Sequence, residues 1–377
     1  MQHGWQDAAN ILCVRLDAVG DVLMTTPALR ALRESRPGRR ITLLTSDSGA
    51  SAARRVPEID DVIVFRAPWM KRPCGGPDED HALVAELAAR RFDAAVIFTV
   101  YTQSPLPAAY VCRLAGVPLR LAHCRENPYF LLTDWVQDRE PHGLLRHEVR
   151  RQLDLVAHVG CRPSHERLSF SVPAAARRRV GRLLAALGVE AGRPLIVTHP
   201  GASAESRRYP PERFAEALEL LHEHTPCEIV LTGDAAEAEL VDRIRSSCRA
   251  PLRSLAGRLD LAELGALLAR ADVVVTNNTA PAHIAAAVGT PVVDLYALTN
   301  PQHTPWQVEQ RLLYHDVPCR YCLKSVCPAG HNACLHGVPP AAVATAALEL
   351  LELVPSTAPP HGLPPFLTQA TDLEVLA

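Results

Sequence analysis

With 377 residues, 48% of them hydrophobic, the chain is too long for one ordinary core and calls for two α/β domains. A formal net charge of −2 excludes a global field that would draw it to nucleic acid or anionic lipid. No apolar run reaches the roughly 18–20 residues of a membrane span, and the first ten residues, MQHGWQDAAN, lack the basic-then-apolar order of a secretory signal. A cytoplasmic protein is expected, with its eleven cysteines reduced.

Four short apolar runs open the chain and read as buried strands: ILCVRL (11–16), RITLLT (40–45), DVIVF (61–65) and DAAVIF (93–98). Amphipathic helical patterns at 22–34 and 81–91 lie between them. After the first strand, RLDAVGDVLMTTPALRAL (15–32) stands where an α/β protein places a phosphate loop. It offers one glycine, Gly20, followed by a carboxylate, Asp21, which would repel a phosphate. PDED (77–80) holds Asp78-x-Asp80, a pattern that can bind a divalent metal; directly before a helix the same carboxylates complement the helix dipole.

The stretch 172–194 divides this series from a second one. Its strands are PLIVTHPG (194–201), CEIVLTGD (227–234), ADVVVTNN (271–278) and TPVVDLY (290–296), with helical segments at 212–224, 236–247 and 261–270. Near-continuous apolar strands alternating with helices predict parallel sheets covered on both faces. The expectation is two Rossmann-like, doubly wound domains, 1–175 and 176–354, facing across a cleft. A Pro-rich tail, 355–377, is expected to be disordered.

Ligands of such folds bind outside the carboxyl ends of the strands, and three loops of the second half are placed there. In HPGASAESRRYPPERF (199–214), Ser203 offers a hydroxyl, and Arg207 and Arg208 can grip phosphate oxygens or simply be solvated. In LTGDAAEAELVDRI (231–244), Glu237 suits ribose hydroxyls or, equally, a helix start. In TNNTAPAHIAAAVGTPVV (276–293), a helix begins near Pro281 with Thr279 placed to cap it, and its N-terminus forms an anion site. His283 lies in that helix's first turn, as a ligand contact or as a structural residue. Further on, CRYCLKSVCPAGHNACLH (319–336) carries Cys319, Cys322, Cys327 and Cys334 with His331 and His336. These could hold a structural zinc or iron–sulfur site, or be reduced thiols packing a loop; only Cys319 and Cys322 have the common CxxC spacing.

With these loops in place, the chain resembles glycosyltransferase family nine, the ADP-heptose:lipopolysaccharide heptosyltransferases, from about residue 11 to 353. The anchors are RLDAVGDVLMTTPALRALR, HPGASAESRRYP, LTGDAAEAE, LAGRLDLAELGALLARADVVVTNNTAPAHIAAAVGTP and YALTNPQHTPW. The resemblance implies a GT-B fold, acceptor binding by the first half, nucleotide-sugar binding by the second, and inverting transfer with no metal or other cofactor. It makes Asp21 the general base, Arg207 the phosphate-binding cation (usually a lysine), Glu237 the ribose carboxylate and Leu259 the apolar residue beside adenine. Thr279, Ala280 and His283 then fall against diphosphate and sugar, and Arg125 faces the acidic acceptor. ADP-heptose is the implied donor and a glycolipid the acceptor, with peripheral association at the cytoplasmic face of the inner membrane. The chain departs from the usual Asp-Thr-Gly, reading Asn278-Thr279-Ala280. Asn278 is expected to bond sugar hydroxyls without a charge, which leaves room for another nucleotide sugar with a capsular or protein acceptor, or for a non-catalytic nucleotide-sugar-binding homologue.

Overall fold

The structure, a computed structural model, describes residues 4–71, 75–142 and 144–351. The tail 355–377 lies outside them. The chain divides into two compact units, Met1–Phe170 and Ser171–Ala377, each built on its own six-stranded parallel sheet.

In the first unit the order is β1 (Asn10–Arg15), α1 (Val19–Glu34), β2 (Arg40–Thr45), α2 (Asp47–Ala53), β3 (Asp61–Val64), α3 (Pro77–Arg90), β4 (Ala94–Ile97), α4 (Leu106–Leu114), β5 (Leu119–Cys124), β6 (Asp134–Gln137) and α5 (Glu148–Ala157). The sheet order is β3-β2-β1-β4-β5-β6. In the second unit α6 (Ala174–Ala186) precedes β7 (Leu195–His199), α7 (Pro211–His224), β8 (Glu228–Leu231), α8 (Ala238–Ser247), β9 (Leu252–Ser254), α9 (Leu261–Leu268), β10 (Val273–Asn277), α10 (Ala280–Val288), β11 (Val292–Leu295), β12 (Gln310–Leu313), α11 (Ala333–His336) and α12 (Pro340–Leu350). Its sheet order, β12-β11-β10-β7-β8-β9, repeats the first one strand for strand. In both, the order reverses beside the first strand, between β1 and β4 and between β7 and β10, which is where doubly wound sheets open a crevice for ligands.

The central strands are apolar because neighbours cover them on every side. Ile11, Leu12, Cys13 and Val14 of β1 are buried, with Val14 in register between Leu44 of β2 and Ile97 of β4. The stretch expected to divide the domains instead forms helix α6, which belongs to the second unit. Helix α1 starts at Val19, not 22, so Asp21 sits inside its first turn. Helix α3 starts at Pro77, so Asp78 and Asp80 are its own first-turn residues. Pro27 within α1 cannot donate to the carbonyl of Leu23, and the Thr26 hydroxyl fills that role at 2.7 Å.

Candidate active site

In the first unit the carboxyl end of β1 is organised by Arg15, the last residue of that strand, whose side chain is fully buried. An apolar strand would not bury a guanidinium without counter-charges, and three are supplied. Asp17 lies 3.0 Å from Nε, Asp21 3.1 Å from Nη2 and Glu148, at the start of α5, 2.8 Å from Nη1. Asp21 is thereby fixed: Oδ1 accepts from Arg15, while Oδ2 accepts the Ala18 N–H at 3.1 Å. Its side chain keeps 17% exposure, so it remains reachable. Asp17 accepts a 2.7 Å bond from Gln103 Nε2, yet burial, with Asp21 and Glu148 adding negative charge, pushes its carboxyl up to about 6. Gly49 of α2 lets that helix approach, since a Cβ there would lie 2.1 Å from Thr45 Oγ1 and 3.2 Å from the Asp17 carbonyl. Arg125, exposed just after β5, donates to the Tyr101 carbonyl.

In the second unit the loop after β7 passes through a short 3-10 turn, Glu205–Arg207, before α7. Arg207 is half-buried, and its Nε donates to Thr299 Oγ1 at 3.3 Å. No carboxylate among the described residues is within ion-pair distance of it. Ser203 is exposed at the head of the loop. Ser206, beside Arg207, is buried: its N–H donates to the Ser325 carbonyl (3.0 Å) and its hydroxyl to the Lys324 carbonyl (2.7 Å). Tyr321 and Leu323 donate backbone bonds to Leu298 and Thr299. The cysteine-bearing segment therefore braces both sides of Arg207. Its four cysteines are free thiols, Cys319 lying 3.9 Å from His331 Nε2. Backbone N–H groups around Asn332 hold the Cys327 thiol below its usual range, and burial raises that of Cys334. Among the described residues no group of three or more His, Cys, Asp or Glu is arranged to hold a metal ion, Asp78 and Asp80 included.

Glu237 ends the 3-10 turn after β8. It closes a capping box with Asp234, Oε2 accepting the Asp234 N–H at 2.9 Å and its own N–H donating to Asp234 Oδ1 at 2.9 Å. The same carboxylate lies over Gly201, where a Cβ would come within 1.9 Å of Oε1, so the loop after β7 and Glu237 meet only because residue 201 is glycine. Its Oε2 is also 3.6 Å from His199 Nε2, and desolvation holds that imidazole's pKa below its ordinary value. Leu259 is half-buried, one residue before the Asp260 cap of α9.

Helix α10 starts next to this loop. Asn277, missed by sequence reasoning and fully buried, ties the two together: Nδ2 donates to the Pro200 carbonyl (2.7 Å) and Oδ1 accepts the Tyr209 N–H (3.1 Å). Thr279 occupies the N-cap position but, contrary to expectation, does not cap. Its hydroxyl donates to the Asn277 carbonyl at 3.3 Å, and α10 opens with no side-chain cap. Ala280 and Pro281 follow as the first helical residues, and His283 is buried. Asn278 is buried too, with Nδ2 donating to Asp294 Oδ2 and to the His303 carbonyl, both at 2.8 Å. Its amide hydrogens are thus taken up inside the protein. Asp294, in mid-β11, was not anticipated either; complete burial pushes its carboxyl up to about 8 against the opposing pull of Asn278 and Arg207. Its Oδ1 has no hydrogen-bond partner among the described residues.

The chain is similar to known proteins in sequence and fold. The family model described as glycosyltransferase family 9 (heptosyltransferase) matches residues 81–333. Lipopolysaccharide heptosyltransferase 3 of Escherichia coli is 27% identical over 296 residues, 76% of this chain and 83% of the relative. Among solved structures, the family 9 glycosyl transferase of Veillonella parvula superposes with a TM-score of 0.76 at 21% identity, covering 94% of this chain and 100% of that one. The E. coli ADP-heptose lps heptosyltransferase II gives 0.71 at 24% identity, with 91% and 99% covered. The two Rossmann-like units are those of the GT-B fold.

Proposed function

Because the chain belongs to glycosyltransferase family 9 and is therefore a glycosyltransferase of the heptosyltransferase kind, we propose that it moves heptose from ADP-heptose to a lipopolysaccharide core acceptor with Asp21 as general base. The acceptor hydroxyl gives its proton to Asp21 while its oxygen attacks the anomeric carbon from the face opposite the diphosphate. The bond from that carbon to the diphosphate oxygen breaks, configuration inverts, and ADP leaves. Two negative charges flank Arg15 besides Asp21. Arg15 is therefore shared among three carboxylates, while Arg15 and the Ala18 N–H fix the direction of the Asp21 carboxylate toward the acceptor hydroxyl it would deprotonate.

One observation carries the donor half: an uncapped helix N-terminus at α10 and a half-buried arginine, Arg207, with no carboxylate within ion-pair distance among the described residues. Such a pair of positive ends suits a diphosphate and can stabilise the leaving group without a metal ion. Glu237, poised over Gly201, would take the ribose hydroxyls through the oxygen its capping bond leaves available, and Leu259 would lie against adenine. In this reading Ser203, Thr279, Ala280 and His283 line the diphosphate and sugar, and Arg125 meets the acidic acceptor at the cytoplasmic face of the membrane. Asn278 leaves the choice of sugar to be measured, because its amide donors are engaged by Asp294 and His303.

Thermal stabilisation by nucleotides tests the donor assignment. A ligand at 100 times its dissociation constant adds about 2.7 kcal/mol of stability. ADP and ADP-heptose should raise Tm in the native protein and not in Arg207→Ala. Stabilisation by UDP-sugars instead of ADP-sugars would overturn it.

A further inference from the structure

The largest exposed apolar side chains of the first unit gather at one place. Tyr129 and Phe130, at the tip of the loop joining β5 to β6, are 77% and 80% exposed. Tyr110 and Leu114 are the next most exposed of that unit, and both lie on α4. The two elements touch: Arg113, between Tyr110 and Leu114 on the helix, donates to the Phe130 carbonyl at 3.1 Å. Residues three and four apart share a helix face, so Tyr110, Arg113 and Leu114 form one stripe against the loop.

The loop is built to hold its aromatic tip outward. Tyr129 stands in the left-handed region at φ 47°, its N–H bonded to Asn127 Oδ1 at 2.9 Å, and the Leu131 N–H closes a turn onto Pro128 at 3.0 Å. Beneath the tip lies Arg120, nearly buried. Its guanidinium donors go to carbonyls alone, among them Leu131 (2.7 Å) and Phe130 (3.1 Å). Burial and the neighbouring Arg113 both lower its pKa, and no carboxylate opposes them. Among the described residues neither Arg113, Arg120 nor Arg125 forms an ion pair. The loop between β5 and β6 carries one carboxylate, Glu126, which is exposed. A solvent-facing apolar tip over uncompensated positive charge lacks two things at once, an apolar layer and an anionic one.

We propose that this surface, Tyr110, Arg113, Leu114, Tyr129 and Phe130 above Arg120, docks the protein onto an anionic lipid bilayer. Aromatic side chains favour the headgroup–acyl boundary, and guanidiniums beside them pair with lipid phosphates. The chain's overall charge of −2 supplies no such attraction, so binding is local and oriented by this patch. The inference extends the glycolipid-acceptor reading but is measured without donor, acceptor or turnover, so either can fail alone.

The experiment is sedimentation of the full chain with phosphatidylglycerol-containing vesicles, against pure phosphatidylcholine vesicles and across a salt series. The protein should partition onto the anionic vesicles, less so as salt rises, and weakly onto phosphatidylcholine. Tyr129→Ser combined with Phe130→Ser should lower the partition coefficient by about tenfold or more, since binding scales with buried apolar area. Arg113→Gln should lower it about fivefold, the share of one cation near the surface. Both positions are exposed, and unchanged circular dichroism and Tm confirm that the fold is retained. Equal partition of variant and native protein would overturn the proposal. So would indifference to lipid charge, or a self-association that the double variant abolishes in a protein that ignores vesicles, which would give the face to a second copy of the chain.

Discussion

Replacing Asn278 by aspartate probes the least expected feature of the second unit, because it sets one carboxyl against another inside the protein. In the native structure the amide donates to Asp294 Oδ2 and to the His303 carbonyl at 2.8 Å each. Asp294, its pKa pushed up to about 8, carries its proton at neutral pH and can donate it to the new carboxylate, so the first contact survives in altered form. The second cannot: a carboxylate oxygen and the His303 carbonyl are both acceptors. Losing this hydrogen bond to the part-buried carbonyl costs about 1 kcal/mol, and burying the added charge takes the total for Asn278→Asp to roughly 2–4 kcal/mol at pH 7. The loss should grow above pH 8, where Asp294 ionises as well. Urea unfolding of native protein, Asn278→Asp, Asp294→Asn and the Asn278→Asp/Asp294→Asn exchange measures it. The exchange restores an amide–carboxyl pair and should recover part of the loss, which appears as coupling in the cycle. An Asn278→Asp protein within about 0.5 kcal/mol of native at pH 7, the range of an uninvolved surface substitution, would refute this account of the contact.

Asp17 has a folded-state pKa near 6, above its unfolded value, so its contribution is fully present below pH 4 and is lost as pH rises through 6; in Asp17→Asn that fall between pH 4 and 6 should be absent from unfolding curves. Ser206→Ala removes the 2.7 Å bond to the Lys324 carbonyl; at about 1 kcal/mol per hydrogen bond, it should raise the donor KM roughly fivefold through Arg207 with little change in kcat. Activity should survive prolonged EDTA treatment, because Arg207 and the α10 N-terminus supply the positive charge; a loss restored by magnesium would return attention to Asp78 and Asp80.

Most of the strands read from the sequence have neighbours on both sides, though the edge strand β3, DVIVF, was read as well and β5, LRLAHC, flanked by β4 and β6, was not. Runs such as ILCVRL and ADVVVTNN are apolar throughout because the sheet and its helices cover them, and the structure places β1 and β10 at the sheet centres. The edge strands β6 and β12 were not anticipated: DWVQ and QRLL are half-exposed and carry polar residues where a central strand would not. Likewise β9, LRS, is three residues long and half-buried. Motif and spacing drew attention to Asp21, Arg207 and Glu237, but not to what holds them. Arg15 was read only as part of an apolar strand, since its partner Glu148 is 133 residues away. Asn277, Asp294 and Ser206 escaped for the same reason: each acts through a contact made by the folded chain, with no local pattern to mark it. Thr279 shows the converse, a residue at the right position for a cap whose hydroxyl turns instead to the Asn277 carbonyl.

The central claim is that Asp21 takes the acceptor proton, and Asp21→Asn tests it most directly. The substitution keeps the shape of the side chain and an acceptor for Arg15 while removing its basicity. Single-turnover transfer from ADP-heptose should fall by roughly 10²–10⁴-fold, the usual share of general-base catalysis, with the ADP-heptose dissociation constant unchanged and Tm somewhat lowered, because an amide cannot accept from both Arg15 and the Ala18 N–H. A variant that transfers sugar at close to the native rate would make Asp21 a partner of Arg15 and the Ala18 N–H alone, and the mechanism would need another base.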